Sequence, residues 1–334
     1  KMDSDTLFNL FSDAKPNIKI TTIREYSNRL SNLCDELNFT KTEDLYDFKK
    51  VIDHLETKRM IKFKKTGKET HTNTANIISS ILEYLIIVDA DSKVYYEYRT
   101  IKTIKDDMYQ KLQRSGKLVG TQEENFIPLK ELLEYYQVIS DQADKLKTNE
   151  YINLRLLLRL YLNHPSRNEY STLEFIKLRE YNKIPKDKRM NYLVVPSNKP
   201  IFLAISDYKM TKKYGEKITF IKDPILKKLV KKQLKQNGFN AVFMNNEGAR
   251  LQNSAVSQLF IRYSLKHLGK NIGSTLIYKI VNEELGKKYN TALDNNDIDE
   301  AKKIAAMLSE NARVRGHSKA VQKDIYLKDS SMSD

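Results

Sequence analysis

Near its C-terminal end the sequence reads Arg315-Gly-His-Ser-Lys-Ala-Val-Gln-Lys-Asp-Ile-Tyr326, with His317 and Tyr326 nine residues apart. A tyrosine hydroxyl ionises near pH 10 when unperturbed, so it attacks at neutral pH only beside positive charge or a base. A histidine can move that proton or hold an anion. Three further stretches add suitable groups. Leu160-Tyr-Leu-Asn-His-Pro-Ser-Arg-Asn-Glu-Tyr-Ser-Thr-Leu173 contains Arg167 and, two residues on, Glu169. Asp207-Tyr-Lys-Met-Thr-Lys-Lys-Tyr-Gly215 contains Lys209, Lys212 and Lys213, and Gly273-Ser-Thr-Leu-Ile-Tyr-Lys279 contains Tyr278. Arginine offers a planar, always-charged pair of donors that matches phosphate oxygens, and lysine can give up a proton. Taken singly, each residue has an ordinary reading. Tyr326 is one of 20 tyrosines, Arg167 suits a helix C-terminus and Lys209 suits a solvated turn.

In this order the stretches resemble the tyrosine recombinase (phage integrase) family, over essentially the whole chain. The resemblance implies that Tyr326 is the nucleophile toward a DNA phosphate, preceded by the Gly-His-Ser turn that carries His317. It implies that Arg167 is the family's first arginine, with Glu169 as its acidic companion. Lys209 then corresponds to the β-turn lysine beside the scissile phosphate, with Lys212, Lys213 and Arg315 contacting DNA. The reaction so implied keeps the energy of the broken bond in a 3′-phosphotyrosine linkage and needs neither metal nor cofactor. The implied partner is double-stranded DNA, on which several protomers, a tetramer by analogy, would exchange strands. The proline-flanked arginine and the Asp207–Gly215 hairpin further resemble recombinases of giant DNA viruses and their mobile elements.

One stretch departs from the family. Tyr278 stands where the second arginine is expected, and Thr275 where many members have a histidine. Lys279, Arg313 or Arg315 could replace the missing charge, and spacing selects none of them. Loss of a preorganised donor costs roughly 100- to 1,000-fold in rate. The sequence therefore leads us to expect a chain that binds DNA and cleaves it poorly, with Tyr278→Arg raising the rate. Two other functions fit the same residues: a non-catalytic DNA-binding protein of this fold, and a type IB topoisomerase.

Such residues need a scaffold. The chain has 334 residues, 40% hydrophobic and 30% charged, which suits a globular protein with two cores. In the first half, helical patterns run over about 22–37, 43–58, 73–88, 93–114 and 128–146, the first with Thr21 or Thr22 as N-cap. A polar boundary is expected at 147/148. After it, 151–163 reads as a buried helix, and short β-prone runs follow at 172–178, 191–195, 201–206 and 217–221. Helical character returns at 224–236, 254–268, 274–284, 297–308 and 320–326. The expected fold is α+β and mainly helical: an all-helical domain over 1–147 that clamps DNA, then a mixed catalytic domain over 148–334 with a small antiparallel sheet.

Charge supports a polyanionic partner. Residues 1–147 carry 24 Lys+Arg and 24 Asp+Glu, so the whole excess of +15 lies beyond them. Binding through phosphate contacts should weaken steeply with salt. The single cysteine, Cys34, excludes an internal disulfide and a cysteine-cluster zinc site, and five histidines make a metal centre unexpected. No uninterrupted apolar run of about 18 residues is present and no basic stretch shows one long apolar face, so no membrane partner is expected, and the single cysteine fits a reducing, intracellular setting.

Overall fold

The computed structural model describes residues 2–66, 71–114, 122–209 and 211–316, apart from a few side chains that include that of Lys213. Two compact units divide at Thr121/Gln122.

The first unit is helical: α1 Ser4–Ala14, α2 Ile20–Leu37, α3 Phe48–Thr66, α4 Thr72–Ile87 and α5 Ser92–Arg114. In α2 the residues Ile23, Leu30, Leu33 and Cys34 fall on one buried stripe, as the 3.6-residue period requires. The helix starts ahead of the threonines, because the Lys19 carbonyl accepts from the N–H groups of Thr22 and Ile23. Glu43 does not open α3. Thr42–Tyr46 is a 3-10 turn in which the Asp44 carboxylate takes the N–H groups of Thr40 and Lys41. Leu30, Leu45, Ile78 and Ile81 close the core, and the Tyr98 hydroxyl donates to the Leu45 carbonyl at 2.8 Å.

The second unit opens with α6 Gln122–Asn125, α7 Leu129–Leu146 and α8 Asn149–Asn163. Its boundary lies ahead of the expected 147/148 joint. Leu132, Tyr135, Ile139 and Ala143 of α7 share one core with Leu154, Leu157 and Tyr161 of α8, and Lys147 is a left-handed helix stop between the two. Then come β1 Glu174–Ile176, α9 Leu178–Lys183, β2 Asn191–Val194, β3 Phe202–Ile205, α10 Thr211–Tyr214 and β4 Lys217–Phe220. The four strands lie in sequence order. β2, β3 and β4 are antiparallel as expected, but β1 pairs with β2 in parallel, Phe175 opposite Leu193, so the sheet is mixed. The remaining helices are α11 Pro224–Asn237, α12 Asn253–Leu268, α13 Ser274–Asp294 and α14 Ile298–Arg315. α11 starts at its proline because the Asp223 side chain accepts from the Leu226 N–H. α13 and α14 each run well past the expected ends. The segment 320–326, expected to be helical, lies outside the described residues.

The fold is thus α+β and mainly helical. Divided at the observed boundary, residues 1–121 carry 21 Lys+Arg against 18 Asp+Glu, and 122–334 carry 37 against 25, so most of the basic surplus stays in the second unit. Among the described residues no helix is long and apolar enough to cross a membrane.

Candidate functional site

α8 ends at His164 because Pro165 follows, which disfavours helical geometry in the residue before it. The turn beyond is pinned from beneath by two buried tyrosines. The Tyr161 hydroxyl donates to the Arg167 carbonyl and the Tyr170 hydroxyl to the His164 carbonyl, with the two rings edge to face at 5.0 Å. Burial pushes both phenols well above their ordinary range, so they remain protonated donors. Arg167 is half-buried at the head of a 3-10 turn, Asn168–Thr172, and the Ser166 hydroxyl donates to Glu169 at 2.7 Å. The backbone here is fixed, and the arginine side chain projects from it.

The end of α14 meets this turn. Arg315 is 4% exposed. Its Nη1 donates to the Ser166 carbonyl at 2.5 Å and its Nη2 to Thr275 Oγ1 at 2.8 Å. Its guanidinium carbon lies 4.6 Å from the centre of the Tyr278 ring, a cation–π contact. Gly316 then stops the helix with φ +72°, and a Cβ there would sit 3.4 Å from the Tyr208 ring and 3.8 Å from Lys217 Nζ.

Lys217 completes the group from the first position of β4. It is 4% exposed, donates to the Val314 carbonyl at 2.8 Å and lies 3.6 Å over the Tyr208 ring. Burial first, and then the neighbouring cations Arg167, Arg313 and Arg315, push its pKa down to about 8, with Glu169 opposing them. An open cleft of about 710 Å³, lined by Tyr214, Lys217, Ala306, Arg313 and Gly316 among others, reaches this lysine from solvent. Chemically, the arrangement gathers Arg167, Lys217 and Arg315 about the Glu169 carboxylate, with Arg313 beside them paired to Glu310. It is suited to an anionic, phosphate-like group and holds a lysine whose pKa lies below its ordinary value.

The expected residues are distributed as follows. Arg167 and Arg315 lie on adjoining turns, Arg315 bonded to the residue before Arg167. Arg315, expected on the DNA-contacting surface, is instead buried. Tyr278 is wholly buried beneath it. Lys209 is exposed in the β3–β4 hairpin, as is Lys212 on α10. His317 and Tyr326 lie outside the described residues, as does the side chain of Lys213. Of the three residues considered as substitutes for the absent arginine, Lys279 turns to Gln122 Oε1 at 2.7 Å. Arg313 holds Glu310, the Ile218 carbonyl and Thr219. Arg315 is the one against Tyr278.

Sequence reasoning missed Lys217. The available signal was alternation along β4, where Lys217 and Thr219 share the buried face. Among the described residues no group of three or more His, Cys, Asp or Glu side chains is placed to hold a metal.

No family model matches the chain, and no curated protein matches it. Among solved structures, the crystal structure of XerA recombinase is similar over 98% of this chain and 95% of that one, at 12% sequence identity and a TM-score of 0.37, below the level at which a shared fold is assigned.

Proposed function

We propose that the chain breaks and rejoins duplex DNA through a phosphotyrosine intermediate, as a tyrosine recombinase does. The observation that carries the reading is the contact between Arg315 and Ser166. It joins two motifs 149 residues apart, the one holding Arg167 and the one leading to His317 and Tyr326. A packing role alone gives no reason for these two motifs, among all the stretches of the chain, to meet around a cluster of cations. The Tyr326 oxygen attacks the phosphorus and the bond to the 5′ oxygen breaks. Arg167 grips a non-bridging oxygen while the cations around it stabilise the added charge. The tyrosine proton leaves with the help of His317, and Lys209, on its exposed turn, protonates the departing 5′ oxygen. The electron balance closes without metal or nucleotide. Exchange of strands between duplexes requires more than one protomer, so assembly on DNA, as a tetramer, belongs to the same reading. The viral affiliation rests on the hairpin and the proline-flanked arginine alone.

The test is covalent trapping on a pool of random-sequence nicked duplexes, recovered by precipitation with potassium and dodecyl sulfate. The wild-type chain should retain DNA and Tyr326→Phe none, while both bind a labelled duplex equally in gel shift. An undiminished adduct with the phenylalanine variant would assign the nucleophile elsewhere. The absence of a guanidinium on α13 favours one rival, a DNA-binding member without chemistry. That rival predicts no adduct from the wild-type chain.

A further inference from the structure

We infer that the outer face of α11 is a second DNA-contacting surface, which holds duplex backbone phosphates through its lysines and takes no part in the cleavage step. The inference rests on the part of the recombinase reading that makes duplex DNA the partner, and it concerns residues outside the cationic cluster.

α11 alone holds five of the second unit's 37 basic residues and, from Pro224 to Asn237, no acidic one. At 3.6 residues per turn, Lys227, Lys228, Lys231, Lys232 and Lys235 fall within an arc of about 140°, opposite the buried Leu226, Val230 and Gln233. All but Lys227 are exposed. Lysine is common throughout the chain, but other helices balance it. α5 sets Lys102 by Asp106, α13 sets Lys287 by Glu283 and Lys288 by Glu284, and α14 sets Lys303 by Glu300, each pair one turn apart and within 3.7 Å. On α11, among the described residues, only Lys232 reaches a carboxylate, that of Asp144 at 3.7 Å, which Arg155 already holds at 2.7 Å. Lys227 with Lys231, Lys228 with Lys232 and Lys231 with Lys235 stand four residues apart, a like-charge spacing that opposes helix formation. Such crowding does nothing for folding and suits a polyanion. The face is also held in place at both ends. Arg159 of α8 grips the Asp223 cap through two nitrogens, at 3.1 and 2.5 Å, and Gln236 donates to Asn149 at the start of α8 at 2.9 Å. From Lys228 to Lys235 the helix rises about 10 Å, a length over which one strand of a duplex presents about three phosphates. Lysines so placed meet phosphates as charges and read no base edges, so the contact is independent of sequence.

The experiment measures binding of the full chain to a labelled random-sequence duplex across a salt series, with covalent trapping alongside. Combining Lys228→Gln, Lys231→Gln and Lys235→Gln should lower the slope of log affinity against log salt by about 3, since each phosphate contact contributes about 0.9. Combining Lys287→Gln, Lys288→Gln and Lys303→Gln removes the same charge from balanced positions and should leave the slope nearly unchanged. Arginine at the three α11 positions should keep the wild-type slope. The melting temperature of the α11 glutamine triple should hold or rise, because like-charge pairs are relieved, which separates a lost contact from a damaged fold. Its adduct formation at saturating duplex should match that of the wild-type chain. An unchanged slope, equal losses in the two glutamine triples, or slower adduct formation at saturation would overturn the inference while leaving the recombinase reading intact. A lowered slope beside no adduct from the wild-type chain would keep the inference and overturn the recombinase chemistry. A wild-type chain that binds no duplex even at low salt would overturn both.

Discussion

In the first unit Lys105, 9% exposed, reaches the Glu56 carboxylate at 2.6 Å, and Arg59 shares the same acceptor residue. In the second, Lys217 is buried more deeply and donates to a backbone carbonyl, with three arginines in its electrostatic surroundings. The first unit therefore buries cationic charge only after neutralising it. Elsewhere its core is Leu, Ile, Val, Phe and Tyr with serine hydroxyls tied back into their own helices. The second unit likewise neutralises Arg155, held by Asp144 at 2.7 Å, but among the described residues it gives Lys217 a backbone carbonyl as acceptor in place of a carboxylate. Taking an uncompensated charge out of water costs stability, and unfavourable burial of this kind collects at functional sites. One unit is organised for stability, the other around a cationic cluster.

Stability measurements test this difference between the units. Leu30→Ala in the first unit should cost about 2–5 kcal/mol, seen as a lower denaturation midpoint, since it empties a fully enclosed position. A comparable loss on removing the Lys217 charge would contradict that difference between the units. His164 offers a pH-resolved version. Burial pushes its pKa down to about 4, with Glu310 and Asp223 opposing and Arg313 adding to the effect, and its Nε2 has no hydrogen-bond partner among the described residues. The folded state therefore prefers the neutral ring. Its contribution is complete above the ordinary value near 6.5 and is lost as pH falls from 6.5 through about 4, where the unfolded chain binds the extra proton. That contribution is at most about 3 kcal/mol, and His164→Leu should flatten this acid limb in urea melts at a series of pH values. An unchanged limb would place the titrating group elsewhere.

The smallest effects come from the lysine pair. Lys105→Met should cost about 1 kcal/mol, because Glu56 loses one of two cationic partners. Lys217→Met should be neutral or stabilising by about 1–2 kcal/mol at pH 7. The sign follows from a folded pKa of about 8 lying below the usual 10.5: the penalty is complete below pH 8 and disappears as pH rises from 8 to 10.5. The advantage of the methionine variant should therefore shrink over that window, and the same variant should form less covalent complex. A destabilised Lys217→Met protein would mean that the Val314 contact outweighs desolvation.

Periodicity was a good guide wherever one face of an element is buried. α4, α5 and α7 lie within a residue of their expected spans, and all four strands fall inside the expected runs. It did less well where local chemistry overrides pattern. The Asp44 carboxylate turns an expected helix start into a 3-10 turn, and the left-handed Lys147 looks like a domain joint only because polar residues surround it. The long reach of α14 was hidden because Asn311, Arg313 and Arg315 interrupt its apolar period. Asn311 and Arg315 are buried through partners distant in sequence. For the same reason the motifs named Arg167 and Arg315, but neither their proximity nor the role of Lys217 could be read from spacing. Both depend on which helix ends meet.

The bond between Arg315 and Ser166 also has a temporal consequence. This bond spans 149 residues, and closing so long a loop carries an entropic cost that contacts elsewhere in the second unit must offset. During synthesis the turn bearing Arg167 emerges well before its partner, so a growing chain carries the first half of the cationic cluster without the second. Until α14 is made and docked, no partly made polypeptide holds the complete cluster.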